Sequence, residues 1–211
     1  SPRRSQLLKG FTYNREGNIL EIGCGCGAIT RFLGERFDSV ISIEKNMILA
    51  QLARKRTKGM NNVSILCSPF QDISFKIKFD IIFCIGMLEY AGIYLDGVDP
   101  YQEFLSACSR ILKPEGVLVL ALENEYGLKY VLPGKEPHSG LRLKGMKKSS
   151  RDGSEEKAYG YQEIKDRLLV DFQHIHFYFP YPDYRLPSCI LSEQLLEKTN
   201  VAELIGGFAP S

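Results

Sequence analysis

Short apolar runs alternate with segments of helical spacing between residues 18 and 124. The apolar runs are predicted to form five strands, at residues 19–22, 40–43, 63–66, 79–85 and 117–122. Helical patterns lie between them, at residues 28–36, 47–58 and 100–112. Strands that are apolar almost throughout are typical of a parallel sheet covered on both faces, and this alternation implies right-handed crossovers.

The same patterns divide the 211 residues into parts of one domain. We expect an N-terminal helix and lead-in at 1–17, a ligand-binding core at 18–124, and a long loop or lid over the ligand site at 125–160. A closing helix and an antiparallel strand pair follow at 161–193, and then a tail at 194–211. The predicted fold is therefore a Rossmann-like, doubly wound α/β domain, with a mostly parallel seven-stranded sheet and an antiparallel last strand. The pattern also fits a domain excised from a longer chain.

Composition narrows the class of protein further. The 27 Lys and Arg residues nearly balance the 25 Asp and Glu residues, so no strong field favours nucleic acid or an anionic membrane. The longest apolar runs are too short to span a bilayer. The six cysteines are scattered without a disulfide-like or metal-ligand spacing, which favours a reducing cytoplasm and no metal site.

A glycine cluster follows the first predicted strand and carries the candidate chemistry. Glu21 ends that strand, and Gly23, Gly25 and Gly27 follow at alternate positions. Glycine allows the backbone to approach a ligand because no Cβ stands in the way. Glu44 ends the second predicted strand, where a carboxylate can accept both hydroxyls of a ribose. These two features predict a nucleoside site at one edge of the sheet.

The glycines alone leave two classes of ligand open. The string from Gly23 to Ala28 also satisfies the dinucleotide pattern of an NAD(P)-dependent oxidoreductase. Glu21 disfavours that alternative, because a carboxylate there would face a pyrophosphate with the wrong sign.

Four segments together resemble the successive motifs of class I S-adenosylmethionine-dependent methyltransferases over residues 18–124: LEIGCGCGAITRFLGE, IEKNMILAQLARKR, FDIIFCIGMLEYA and LKPEGVLVLALEN. The resemblance implies S-adenosylmethionine as cofactor and S-adenosylhomocysteine as product. It implies cofactor contacts from Glu21, Gly23, Cys24, Gly25 and Gly27 near the methionine groups, Glu44 at the ribose, Lys45, Phe70, Gln71 and Asp72 around the adenine, and Cys84, Ile85 and Gly86 along the methionine arm. Ser68 and Pro69 depart from the family pattern, which often has an acid just before Phe70.

The acceptor of the methyl group is less well defined by the sequence. The segment CIGM lacks the Asn/Asp-Pro-Pro-aromatic pattern of enzymes that methylate base amines, which favours oxygen methylation of a small molecule or saccharide. The segment FYFPYPDYRLPSCILSE resembles the tail of methyltransferase domains in bacterial surface-saccharide assembly proteins. That resemblance implies a saccharide acceptor and a fused or associated glycosyltransferase.

Methyl transfer from a sulfonium depends mainly on alignment, and a base assists only when the acceptor is a hydroxyl. Glu89 and His138 are the candidate proton acceptors, and Met87, Glu89, Asn124 and Tyr126 are the candidate residues of the acceptor pocket. An alternative is a non-catalytic domain of the same fold that binds the cofactor and acts as a scaffold.

Overall fold

The computed structural model describes residues 2–95, 97–124 and 158–198. Its central sheet contains five parallel strands in the order β3-β2-β1-β4-β5. Their bounds are β1 Asn18–Ile22, β2 Ser39–Ile43, β3 Val63–Leu66, β4 Phe79–Ile85 and β5 Leu112–Ala121. The predicted Rossmann-like architecture with a parallel sheet is therefore confirmed.

Helices connect the strands in the alternating order that the sequence predicts. They are α1 Gln6–Lys9, α2 Ala28–Gly34, α3 Met47–Arg56, α4 Ala91–Tyr94, α5 Pro100–Ile111, α6 Tyr161–Leu168 and α7 Glu193–Lys198. The side chain of Asn46 caps α3 by accepting hydrogen bonds from the N–H groups of Ile48 and Leu49, and Asp99 caps α5 in the same way. Single-turn 3-10 helices precede α1 and follow β3 and β4.

The side chains of the central strands alternate between two hydrophobic clusters, one on each face of the sheet. Leu20 and Ile22 of β1 belong to the cluster that includes Phe104 and Leu105 of α5. Ile19 of β1 belongs to the other cluster, which includes residues of α2. Burial on both faces explains why the sequence of these strands is apolar almost without interruption.

The expected seven-stranded sheet is not found in the described part of the chain, and this prediction needs correction. The last two strands, β6 Tyr178–Tyr181 and β7 Cys189–Ser192, pair antiparallel with each other in a separate two-stranded sheet. Pro180 has no N–H to donate, so β6 is suited to an edge and cannot bond fully on both sides. The antiparallel pairing of these two strands was predicted correctly, whereas their expected place in the central sheet is not found among the described residues.

Two further predictions concern the start of β5 and the loop that follows the central sheet. The strand β5 begins at Leu112, and a register irregularity near Phe79 absorbs the Pro and Gly residues that precede Val117. Most of the expected loop or lid at 125–160 lies outside the described residues.

Among the helices that are described, none is long and apolar enough to cross a membrane.

Candidate cofactor site

The strand order reverses between β1 and β4, and the candidate residues gather beside this point. Since β1, β2 and β4 are parallel, their carboxyl ends lie at the same edge of the sheet. The glycine loop follows β1, Glu44 follows β2 and Gly86 follows β4. Crevices at such a reversal are the usual ligand sites of open α/β sheets.

The glycine loop is fastened to the end of β2 by its own backbone. The N–H groups of Gly23 and Cys24 both donate to the carbonyl oxygen of Ile43, at 2.9 Å each. The N–H of Gly25 donates to Oε2 of Glu44 at 2.8 Å. These three donors are already engaged, so what the loop offers a ligand is its carbonyl oxygens and close approach rather than a row of free N–H groups.

Glu44 connects two loops across the sheet edge. Its Oε2 accepts from Gly25, and its Oε1 accepts from the N–H of Asn46 at 2.9 Å. The residue is 8% exposed, and each carboxylate oxygen has a second lone pair for a further donor. The carboxylate can therefore organise the glycine loop and accept ribose hydroxyls at the same time.

Glu21 is 3% exposed and is held by two hydroxyl groups from neighbouring elements. Thr30 of α2 and Ser42 of β2 donate to its Oε2 at 2.6 and 2.7 Å. Burial raises the pKa of Glu21 to about 7, although both hydrogen bonds act in the opposite direction. A bound ammonium group would favour the ionised carboxylate here, as the predicted contact with the methionine amino group requires.

We expect Glu21→Gln to change the pH dependence of stability. The unfolded chain ionises Glu21 near pH 4.5, whereas the folded protein keeps the proton until about pH 7. Folding stability contributed by this group is therefore lost as pH rises between these values, on the order of 3 kcal/mol in total. Glutamine removes this loss, so the variant gains stability relative to the parent between pH 4.5 and 7. Chemical denaturation across that range measures the difference, and parallel curves would contradict the assignment.

Two of the predicted adenine residues contact Tyr94, a residue that the sequence did not single out. Tyr94 of α4 has its ring 3.2 Å from Nζ of Lys45, and its carbonyl oxygen accepts from Nε2 of Gln71 at 3.1 Å. Phe70 packs against Phe104 of α5 at a centroid distance of 5.4 Å and so contributes to the core. The neighbouring Asp72 is exposed. The structure thus brings Lys45 and Gln71 together, and it places Phe70 partly within the core.

The end of β4 approaches the glycine loop. The side chain of Cys84 is fully buried in the core, which leaves only its backbone for a ligand contact. Ile85 is also buried, and the N–H of Gly86 donates to the carbonyl oxygen of Ala121 at 2.7 Å. Met87 packs so closely on Gly23 that a Cβ there would meet its Sδ at 2.2 Å. Met87 is therefore beside the predicted methionine end of the cofactor.

Glu89 is a buried carboxyl group just past β4. It is 4% exposed, and its Oε1 accepts from the N–H of Glu123 at 3.0 Å. Within the described part of the chain, its Oε2 is buried without a hydrogen-bond partner. Burial raises the pKa of Glu89 to about 7. A carboxyl group with these properties can exchange a proton near neutral pH.

Three residues around Glu89 were missed by the sequence predictions. Glu123 is 7% exposed and forms an ion pair with Arg185, which lies between β6 and β7. Tyr184 is buried, and its Oη lies 2.5 Å from where a Cβ on Gly86 would be. An acid at the end of the apolar strand β5 was a signal for Glu123, whereas no local pattern indicated Arg185. Asn124, predicted in the acceptor pocket, is exposed and forms an isolated bridge with Tyr159, whereas Tyr126 and His138 lie outside the described residues.

No group of three or more His, Cys, Asp or Glu side chains within the described residues could hold a metal ion. All six cysteines are free thiols, and Cys24 is buried in the glycine loop.

The core of the chain is similar to known methyltransferases. Residues 20–120 match the family model of the methyltransferase domain. Over 103 residues the chain is 30% identical to the cyclopropane-fatty-acyl-phospholipid synthase of Escherichia coli K12, covering 48% of this chain and 25% of that protein. Over 135 residues it is 31% identical to the demethylmenaquinone methyltransferase of Tropheryma whipplei, covering 62% of this chain and 51% of that protein. The chain thus spans a quarter to about half of these relatives.

A solved structure extends the likeness in fold beyond the matched core. The S-adenosylmethionine-dependent methyltransferase from Clostridium acetobutylicum superposes with a TM-score of 0.65 at 17% identity, covering 86% of this chain and 84% of that one. Residues 20–120 thus match a methyltransferase domain, and the fold is the Rossmann-like α/β fold of methyltransferases. The family match favours S-adenosylmethionine as cofactor over a dinucleotide.

Proposed function

We propose that the protein transfers the methyl group of S-adenosylmethionine to a hydroxyl group of a small-molecule or saccharide acceptor. The observation that carries the proposal is Glu89, a buried carboxyl at the carboxyl end of the sheet with a pKa near 7. A hydroxyl must lose its proton during methylation, and a base with a pKa near the working pH serves this purpose best.

Three carboxyl groups of the site have separate roles in the proposed methyl transfer. When bound, S-adenosylmethionine supplies a methyl group on a positively charged sulfur, which makes its carbon an electrophile. Glu44 would accept the ribose hydroxyls and Glu21 would face the methionine ammonium, so both carboxylates would orient the donor. Glu89 accepts the proton of the acceptor hydroxyl as the new carbon–oxygen bond forms and the carbon–sulfur bond breaks. Alignment of donor and acceptor supplies most of the remaining rate enhancement.

The proposed acceptor class rests on the closing segment of the chain rather than on the two relatives described above. The two curated relatives are named for different reactions, one a lipid cyclopropanation and one a quinone methylation. The segment FYFPYPDYRLPSCILSE supports a saccharide acceptor through its likeness to surface-saccharide assembly proteins. On the same ground we propose a glycosyltransferase as fused or associated partner.

Replacing Glu89 with glutamine tests the proposed base. We expect turnover to fall by about a hundredfold or more, because the amide cannot take the proton. For the parent protein, turnover should rise with pH through about 7, as Glu89 loses its own proton. Methyl transfer to a panel of saccharide and small hydroxyl acceptors, with production of S-adenosylhomocysteine as readout, measures both effects.

Binding measurements separate the rival outcomes of this experiment. Calorimetry with S-adenosylhomocysteine should give the same affinity for the parent and the Glu89→Gln variant, because Glu89 lies beyond the predicted cofactor contacts. Tight binding of the cofactor without turnover on any acceptor would favour the non-catalytic scaffold instead. Undiminished turnover in the Glu89→Gln variant would remove Glu89 from the mechanism.

A further inference from the structure

An ion pair lies behind the buried carboxyl group of Glu89. Glu123 contributes in two ways: its N–H donates to Oε1 of Glu89 at 3.0 Å, and its own carboxylate pairs with Nη1 of Arg185. The side chain of Glu123 is 7% exposed, so its charge is poorly screened by solvent. Glu123 thus brings a second buried carboxylate, paired with Arg185, close to Glu89.

Arg185 is held in position by its own surroundings. Its N–H donates to Oδ1 of Asp183 at 2.7 Å, and its guanidinium lies 5.2 Å from the ring centroid of Tyr184. Asp183 also approaches Nη1 at 3.6 Å, which is a weaker contact than that of Glu123. The turn that precedes β7 therefore presents a fixed cation to the end of β5.

The charged and titratable groups that face Glu89 come from every element packed against it. They are Cys84 of β4, Glu123 after β5, Tyr159 before α6, and Tyr184 and Arg185 before β7. Arg185 alone among them is a cation. Burial is the largest cause of the raised pKa of Glu89; the interaction with Glu123 raises this pKa further, and the interaction with Arg185 lowers it. The two charge interactions oppose each other, so removing either one shifts the pH at which Glu89 ionises.

We infer that Arg185 and Glu123 are positioning residues that keep Glu89 available as the proton acceptor, with Arg185 offsetting the charge of Glu123. This inference rests on the proposed function of Glu89. It also gives the segment at 158–198, which lies outside the matched core at 20–120, a supporting part in the chemistry through Arg185.

Carbon-13 NMR of protein labelled at the glutamate side-chain carboxyl tests this inference without an acceptor. The protein is saturated with S-adenosylhomocysteine, and the Glu89→Gln and Glu123→Gln variants assign the two signals. Neighbouring carboxyls titrate as a pair, so their higher midpoint is followed. We expect Arg185→Gln to raise that midpoint by about one pH unit, and Glu123→Gln to lower the midpoint of Glu89 by a similar amount. Arg185→Lys should restore the parent value.

A matched control comes from the same part of the chain. Arg167 forms an ion pair with Asp99 at 2.7 Å, and Arg167→Gln should leave the Glu89 midpoint unchanged. If Arg185 and Glu123 only supported the fold, both variants would shift the titration midpoint in the same direction. The inference requires shifts of opposite sign. A shift below about 0.2 pH units in both variants overturns it. If Arg185→Gln does not fold, Glu123→Gln decides alone by the sign of its shift. Failure to bind S-adenosylhomocysteine would instead count against the proposed function, since the titration can also be run without it.

Discussion

Glu44→Ala weakens the binding of S-adenosylhomocysteine by about 1 to 3 kcal/mol in our expectation, through lost charge-assisted hydrogen bonds to the ribose. The structure adds a second reason. The same carboxylate accepts the N–H groups of Gly25 and Asn46, so its removal also releases the glycine loop from the turn after β2. Isothermal titration calorimetry measures the change in dissociation constant.

The control for this experiment is an acid of similar local charge outside the site. Glu35 pairs with Arg31 on the exposed surface at 2.9 Å, and its ion pair is of the kind that contributes little. Glu35→Ala should therefore leave the dissociation constant within about twofold. An unchanged affinity in Glu44→Ala would contradict the ribose assignment, even if the protein became less stable.

The second prediction compares alanine substitutions at two glycines of the same loop, Gly27 and Gly25. Gly27 has φ = +76°, and a Cβ there would lie 2.8 Å from Cα of Ala53 in α3. Gly27→Ala should destabilise the fold by about 2 kcal/mol or more, because backbone strain and a backbone clash act together. Gly25 has φ = +53°, but a Cβ there would meet nothing within 4 Å. Gly25→Ala should fold with a smaller loss, of about 1 kcal/mol.

Affinity should follow the opposite order from stability. The space beside Gly25 belongs to the predicted cofactor crevice, so a methyl group there should lower the affinity for S-adenosylhomocysteine by about tenfold or more. Thermal unfolding and calorimetry on both variants check the two effects. Equal losses of affinity in Gly25→Ala and in a destabilised but folded Gly27→Ala would contradict the assignment of Gly25 to ligand contact and of Gly27 to packing.

The parallel core was predictable because its signals are local and repeated. Each of the five strands contains a short apolar run that is visible in the sequence. The position of Glu44 after β2 followed from the end of an apolar run alone. Its hydrogen bond to Gly25 did not, because that bond depends on how β1 and β2 are aligned in register.

The surroundings of Glu89 depend on contacts between distant parts of the chain. Glu123 and Arg185 are 62 positions apart, and no periodic pattern records that they meet. The placement of β6 and β7 was wrong for a similar reason: a strand pattern gives the pairing of neighbours but not the sheet that they join. Pro180 was the one local indication that β6 would lie at an edge.

The two hydrogen bonds that the carbonyl oxygen of Ile43 accepts have a consequence for how the cofactor binds and dissociates. Since that oxygen holds two successive amides, the shape of the turn after β1 is fixed by bonds within the protein itself. Little chain entropy is then lost on association, and exchange of product for fresh donor requires no refolding of the crevice. Because the fastening uses main-chain atoms, it persists whatever side chain stands at position 43.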